Sequence, residues 1–199
     1  MFKFILIIFA NKKYAESFIE GIKTKNETKW KQDDIKLLRV FSTESEENTK
    51  VILLFSFTEK EKILEKITNL KFEGMTKYEE ILANEANYYP LKYNSYPAFQ
   101  LRIYSMKDSE AAQKYIDVHW KKHLDSLPQF NIEVEGIYCE ESKEGINRVL
   151  AIVGYKSRED VEVQNNKYMH SFALLKDMFG FNIFKMGNVE DITMFEQKI

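Results

Sequence analysis

The chain has 199 residues, 44% hydrophobic and 30% charged, with a formal net charge of -2. These values suit one or two globular domains and give no broad electrostatic basis for binding nucleic acid or anionic membrane. The single cysteine, Cys139, excludes an internal disulfide and a multi-cysteine metal site and fits a reducing, cytoplasmic compartment.

Phe2 to Phe9 is predicted as a first strand, apolar on both faces and so covered on both. The apolar run Phe4 to Ala10 faintly resembles a signal peptide. It is short, lacks a small-residue cleavage site and is followed by Asn11-Lys12-Lys13, so it reads as a strand. It is far too short to span a bilayer, and no membrane insertion is expected. Asn11 suits the N-cap of a helix in which Tyr14, Phe18 and Ile22 recur every four residues. Thr24 to Asp34 is polar and lysine-rich, as in a solvated loop. Ile35 to Ser42 and Val51 to Phe57 read as strands joined by an acidic turn, Glu44 to Asn48. Thr58 then caps a helix carrying Ile63, Leu64 and Ile67. Tyr78, Ile81 and Leu82 suggest a short helix. Lys92 to Pro97 is the best linker candidate, which sets the expected domains at 1–92 and 98–199.

The second half is cleaner. Phe99–Tyr104 alternates apolar and polar residues. Asp108 caps a helix running to Leu127, with an apolar stripe of Ala112, Tyr115, Ile116, Trp120, Leu124 and Leu127. Ile132–Cys139 and Arg148–Tyr155 are strands around a turn at Gly145 and Asn147. Ser157 caps a helix expected to continue from Gln164 to Phe179, where Gly180 stops it. Phe181 to Met186 and Val189 to Phe195 read as terminal strands.

The two halves match. At a shift of 97 residues Ile132–Cys139 falls on Ile35–Ser42, and Asp108 falls on Asn11. Beyond the hairpin the shift is 98, and Val149–Tyr155 falls on Val51–Phe57. Apolar, capping and turn positions stay in step, as in an internal duplication. Strand–helix–strand–strand–helix–strand is the ferredoxin-like unit, which leaves one sheet face to be covered. The expected fold is α+β: a tandem duplication of a ferredoxin-like βαββαβ unit, its two antiparallel sheets packing as an intramolecular dimeric α/β barrel.

Four segments, Phe99-Gln-Leu-Arg-Ile-Tyr104, Trp120-x-x-His-Leu124, Gly136-Ile-Tyr138 and Asn147-x-Val-x-x-Ile-Val-x-Tyr-x-Ser-x-Glu-Asp160, resemble a NIPSNAP-type domain. That family belongs to the dimeric α/β-barrel superfamily, and the resemblance covers about the last hundred residues. It implies a barrel of paired sheets but no single reaction, since relatives include monooxygenases, isomerases and haem-binding enzymes.

His119 and His123 share a helix face at i,i+4, a spacing that could ligate a metal. No third ligand accompanies them, so no metal is expected. By spacing alone His119 falls at the edge of the apolar stripe and His123 falls exposed near the helix end. In related barrels of the EthD type a histidine near this helix end faces the pocket, which makes His123 the candidate acid/base. Haem-degrading monooxygenases of the superfamily take their axial histidine from the region of His170. Their first-strand asparagine is absent here, with Arg102 or its neighbours in that place, so no cofactor is expected. Arg102, Tyr104 and Tyr155 could hold an anionic or phenolic ligand, together with His119, Trp120 and His170. The structural alternative pairs Arg102 with Glu133 or Glu135. In the first copy Ile5 and Ile7 stand at the positions of Arg102 and Tyr104, so only the second copy is expected to hold a polar pocket. Cys139 has no basic neighbour and reads as inert. The expected function is binding or transforming a small organic molecule in the C-terminal half. The alternatives are a structural or interaction module and a haem-binding or cofactor-independent monooxygenase. A small-molecule ligand and a second copy of the chain are the expected partners.

Overall fold

The computed structural model describes residues 1–29, 35–58, 72–86, 89, 92, 94–140 and 147–198. The fold is α+β: the described residues form eight antiparallel strands and helices in a tandem duplication of a ferredoxin-like unit. Two compact units divide the chain, 1–83 with 194–199, and 84–193. No helix among the described residues is long and apolar enough to cross a membrane.

The first unit contains β1 (Phe2–Asn11), α1 (Lys12–Lys29), β2 (Ile35–Ser42), β3 (Glu47–Phe57) and β4 (Met75–Glu85). Its strand order is β4-β1-β3-β2. Asn11 caps α1, its side-chain oxygen accepting from the Tyr14 amide at 3.2 Å. Ile5, Ile7 and Phe9 of β1 pack with Phe18, Ile19 and Ile22 of α1 and with Val51, Leu53 and Phe55 of β3. This is why β1 is apolar on alternate positions under the helix, while Phe4 is buried on the opposite face.

The second unit contains β5 (Ala98–Met106), α2 (Ser109–Lys114), a π-helical turn (Tyr115–Trp120), α3 (Lys121–Ser126) and a 3-10 turn (Leu127–Phe130). These are followed by β6 (Ile132–Glu140), β7 (Asn147–Tyr155), α4 (Asp160–Met169), α5 (Phe172–Asp177), a second 3-10 turn (Ile183–Lys185) and β8 (Met186–Glu196). Strand order is β8-β5-β7-β6, the order of the first unit repeated. Asp108 caps α2 by accepting from the Ala111 amide at 2.8 Å.

Pairing repeats as well as order. Ile35 faces Phe57 and Ile132 faces Tyr155. Phe2 faces Ser56 and Phe99 faces Gly154. β2 slips register between Leu37 and Arg39, and β6 between Val134 and Gly136, the same step 97 residues on. A bulge is a local backbone device kept at a fixed place in a family, so its repetition supports duplication independently of side-chain similarity.

Several elements differ from expectation. Tyr78, Ile81 and Leu82 lie in strand β4, because pairing with β1 (Ile7 to Tyr78, Phe4 to Ile81) overrides a weak local helical pattern. Thr24 to Lys29 continues α1 rather than forming loop. The helix expected over 164–179 is two, since the Ser171 side chain caps a new helix by accepting from the Leu174 amide. Phe181 to Lys185 forms no strand but ends in the 3-10 turn, and one long β8 beginning at Met186 replaces the two terminal strands. Residues 63, 64, 67 and 145 lie outside the described residues. The first unit is also less apolar than expected: buried Lys3 pairs with Glu80 at 2.6 Å, and Tyr78 bonds the same carboxylate.

Gly154 in β7 lies under the Tyr96 ring, and a methyl group there would collide with it. The first copy has Ser56 at this place. Gly154→Ala should cost about 1–3 kcal/mol by overpacking, measured as a lowered midpoint of chemical unfolding.

Candidate functional site

Strand alternation turns Gln100, Arg102 and Tyr104 of β5 toward the helices of the second unit, and all three are buried. Arg102 Nε donates to Gln100 Oε1 at 2.9 Å. Its Nη2 donates to the Tyr155 hydroxyl at 2.9 Å and to Asn165 Oδ1 at 3.0 Å. Tyr155 in turn donates to Gln100 Oε1 at 3.0 Å. Arg102 does not pair with Glu133 or Glu135; Glu135 accepts from the backbone and side chain of Asn94. A buried guanidinium therefore sits among neutral oxygens, with Asp191 acting on it electrostatically. That arrangement satisfies its hydrogen bonds without pairing its charge closely.

Above this strand lies the π-helical turn. Its wider winding carries Tyr115, His119 and Trp120 into one buried cluster. The Tyr115 ring lies 6.1 Å from His119, 6.5 Å from Trp120 and 6.1 Å from His123. Tyr104 reaches up to meet Tyr115 at 5.2 Å and Trp120 at 6.0 Å. Phe181 covers the other side, 5.1 Å from Tyr115 and 5.0 Å from His119.

His123 is buried, not exposed, because Asp177 at the end of α5 comes down beside it. His123 Nδ1 lies 3.1 Å from Asp177 Oδ2 and 2.6 Å from the Tyr168 hydroxyl. Tyr168 donates to the same carboxylate oxygen at 3.0 Å, and the Ser126 hydroxyl also donates to it. His119 Nδ1 donates to the Asp177 carbonyl at 2.8 Å. Two buried polar atoms here have no hydrogen-bond partner among the described residues, His119 Nε2 and Trp120 Nε1. With Nδ1 engaged, His119 Nε2 is an acceptor, and the Trp120 indole is a donor.

Burial lowers the affinity of His123 for a proton and outweighs the Asp177 bond, so its pKa falls below the usual histidine value. His119 shifts the same way for the same reason. Burial pushes the Asp177 carboxyl up, but hydrogen bonds from His123, Ser126 and Tyr168 together hold it below its ordinary value. Tyr104, Tyr115, Tyr155 and Tyr168 are all raised, first by burial. At neutral pH the cluster thus offers a neutral imidazole, an ionised carboxylate and protonated phenols. A neutral imidazole fixed by a carboxylate can take up a proton.

Of the residues singled out in the sequence, Arg102, Tyr104, Tyr155, His119, Trp120 and His123 meet in this region. His170 does not. It is exposed at the end of α4, its Nδ1 bonded to the Asn166 carbonyl at 2.9 Å. As placed, it does not suit an axial haem ligand, since it stands outside the cluster. Cys139 is a free thiol raised by burial, a poor nucleophile. Asp177, Tyr168, Ser126, Asn165 and Gln100 were not anticipated. Asp177 stands 54 residues from His123, and no local spacing signals that pairing.

No family model matches the sequence, and no curated protein matches it. Solved structures do. An anthrone oxidase-like protein aligns with a TM-score of 0.66 and 9% identity, over 99% of this chain and 92% of that one. A protein from Lactobacillus acidophilus NCFM assigned as a monooxygenase aligns at 0.58 and 12%, over 98% and 93%. A chlorite dismutase variant from Candidatus Nitrospira defluvii, in complex with cyanide, aligns at 0.57 and 10%, over 99% and 90%. These neighbours are dimeric α/β-barrel folds. At such identities they show a shared fold along nearly the whole chain, and function must be argued from the side chains.

Proposed function

We propose that the second unit binds a small organic molecule carrying an acidic hydroxyl or carboxyl group, with His123 as the base that takes its proton. The buried His123–Asp177 pair carries this reading: a neutral imidazole whose Nδ1 side is held by a carboxylate keeps Nε2 as its basic atom. Arg102 supplies positive charge felt at His123 and not closely matched by a carboxylate, which suits an anion formed nearby. His119 Nε2 and Trp120 Nε1 are the buried acceptor and donor that a ligand could satisfy. The NIPSNAP-type resemblance of the last hundred residues belongs to this reading. A cofactor-independent monooxygenase is the second reading, favoured by the neighbours named as a monooxygenase and an anthrone oxidase-like protein. Deprotonating a phenol would be its first step.

Titration calorimetry with 1-naphthol and salicylate tests binding. Saturable heat at millimolar probe or below is expected. At neutral pH 1-naphthol enters protonated and passes its proton to His123 inside the complex, so no net proton is exchanged with buffer and the bound probe should show the red-shifted absorption of the naphtholate. His123→Asn should remove that shift. No saturable heat with either probe, or a naphtholate band unchanged in His123→Asn, counts against the proposal.

A further inference from the structure

We infer that Asn165 sets the charge specificity of the second unit's site. It presents an amide where a carboxylate would close an ion pair, and so reserves Arg102 for the carboxylate of an aromatic anion; this rests on the proposed function for where the ligand lies.

The chain itself shows how a buried arginine is otherwise treated. Arg39 of β2 and Arg102 of β5 are both 4% exposed. Arg39 donates from Nε to Glu196 Oε1 at 2.7 Å and from Nη2 to Glu196 Oε2 at 3.0 Å, a fork on one carboxylate. Arg148 of β7 makes the same fork with Glu140, at 2.8 and 2.7 Å. Arg102 offers the same two nitrogens to neutral groups: the amide oxygens of Gln100 and Asn165 and the Tyr155 hydroxyl. Asp191 acts on it through space without joining these bonds. The hydrogen bonds are met and the charge is not, which costs stability in a buried site.

Asn165 is half-buried on α4, while Gln100, Arg102 and Tyr155 are buried, so among them it stands nearest solvent. Asparagine and aspartate share a shape and have similar helix propensities, so the backbone of α4 gives no reason for the amide. An aspartate here would stay ionised beside the guanidinium and complete the pair. The amide withholds that charge, and withheld or opposing charge is a means of choosing between ligands. Nη1 takes no part in the three bonds and is the donor left for a ligand. The rings of Tyr104, Tyr115 and Trp120, gathered above the same strand, suit an aromatic body behind the carboxylate.

Benzoate and benzamide differ in charge on the same ring, and neither brings an acidic hydroxyl to His123. Titration calorimetry of the full chain with each measures the preference. The wild-type chain should favour benzoate by about 100-fold, the scale of a hydrogen bond between charged groups in a buried site. Asn165→Asp should abolish that preference by weakening benzoate about 100-fold, the scale of a like charge about 5 Å away at a protein's effective dielectric, with benzamide affinity and circular dichroism unchanged. Asn165→Ala removes the acceptor without adding charge and should keep the preference. Gln100→Glu closes the pair from the strand and repeats the test if aspartate at 165 prevents folding. A preference retained in both Asn165→Asp and Gln100→Glu overturns the inference, as does one lost in Asn165→Ala and kept in Asn165→Asp, the order expected of a residue that only braces the guanidinium. Wild-type chain that binds the two probes equally, or binds neither, overturns it too. Failure of His123 as the base leaves a different trace: the naphtholate band is missing while the preference for benzoate stands.

Discussion

Arg102→Leu is expected to lower salicylate affinity by about 100-fold, the scale of a lost charge-assisted bond in a buried site, and to leave unfolding stability within about 1 kcal/mol. The expectation of small structural cost comes from its partners. Gln100 and Tyr155 keep their own hydrogen bond when the guanidinium is gone. Asn165 is half-buried and can turn to water. Replacing a buried charge with a well-packed apolar side chain is often neutral, because the charge's desolvation cost disappears with it. Calorimetry and urea unfolding on the same variant separate the two roles. If stability falls by several kcal/mol and salicylate binding is unchanged, Arg102 is a brace of the sheet and not a ligand contact.

Asp177→Ala should be the most destabilising substitution in the second unit, at about 3–5 kcal/mol. One carboxylate oxygen receives His123, Tyr168 and Ser126 together. Its loss strands three buried polar groups, each costing about 1–3 kcal/mol when unpaired, less whatever relaxation recovers. The same pair makes stability pH-dependent. The folded-state pKa of His123 is depressed, so below the ordinary histidine value near 6.5 the unfolded chain binds a proton that the folded chain refuses. That contribution is complete above pH 6.5 and is lost as pH falls through the folded pKa. Asp177 is depressed too, so its contribution is complete above about pH 4 and is lost on further acidification. Both act in one direction, and stability should rise with pH across the acid range. In Asp177→Asn the lower part of that rise should be missing. An acid limb of the stability profile that is unchanged in Asp177→Asn would sink the assignment.

The sheet was legible because its signals are local. Alternation marks β5, and Asn11 and Asp108 cap as their residue types predict. The 97-residue offset follows from the placement of turns and apolar positions, and the repeated strand slip shows how far it goes. β4 was missed because its partner β1 lies some seventy residues away, and its own residues carry only a weak pattern. Half of the cluster was visible. Arg102, Tyr104, His119 and His123 stand out as polar residues on otherwise apolar elements. Asp177 and Tyr168 do not, since they sit on short helices whose exposed faces carry much of the apolar content. The burial of His123 depends on that distant carboxylate, so helix spacing alone could only place it at an exposed end.

The π-helical turn from Tyr115 to Trp120 has a consequence for how the two copies came to differ. On a regular α-helix, residues five apart point about 140° away from each other. Here Tyr115 and Trp120 are neighbours in one buried cluster. The offset between copies is 97 residues on both sides of this helix, at Asn11 with Asp108 and at Ile35 with Ile132. The first copy winds its counterpart as continuous α-helix over Lys12–Lys29. Divergence after duplication therefore needed no net insertion between these landmarks. A change of helical pitch, over the same length of chain, gathered the aromatic and histidine side chains that one descendant has and the other lacks.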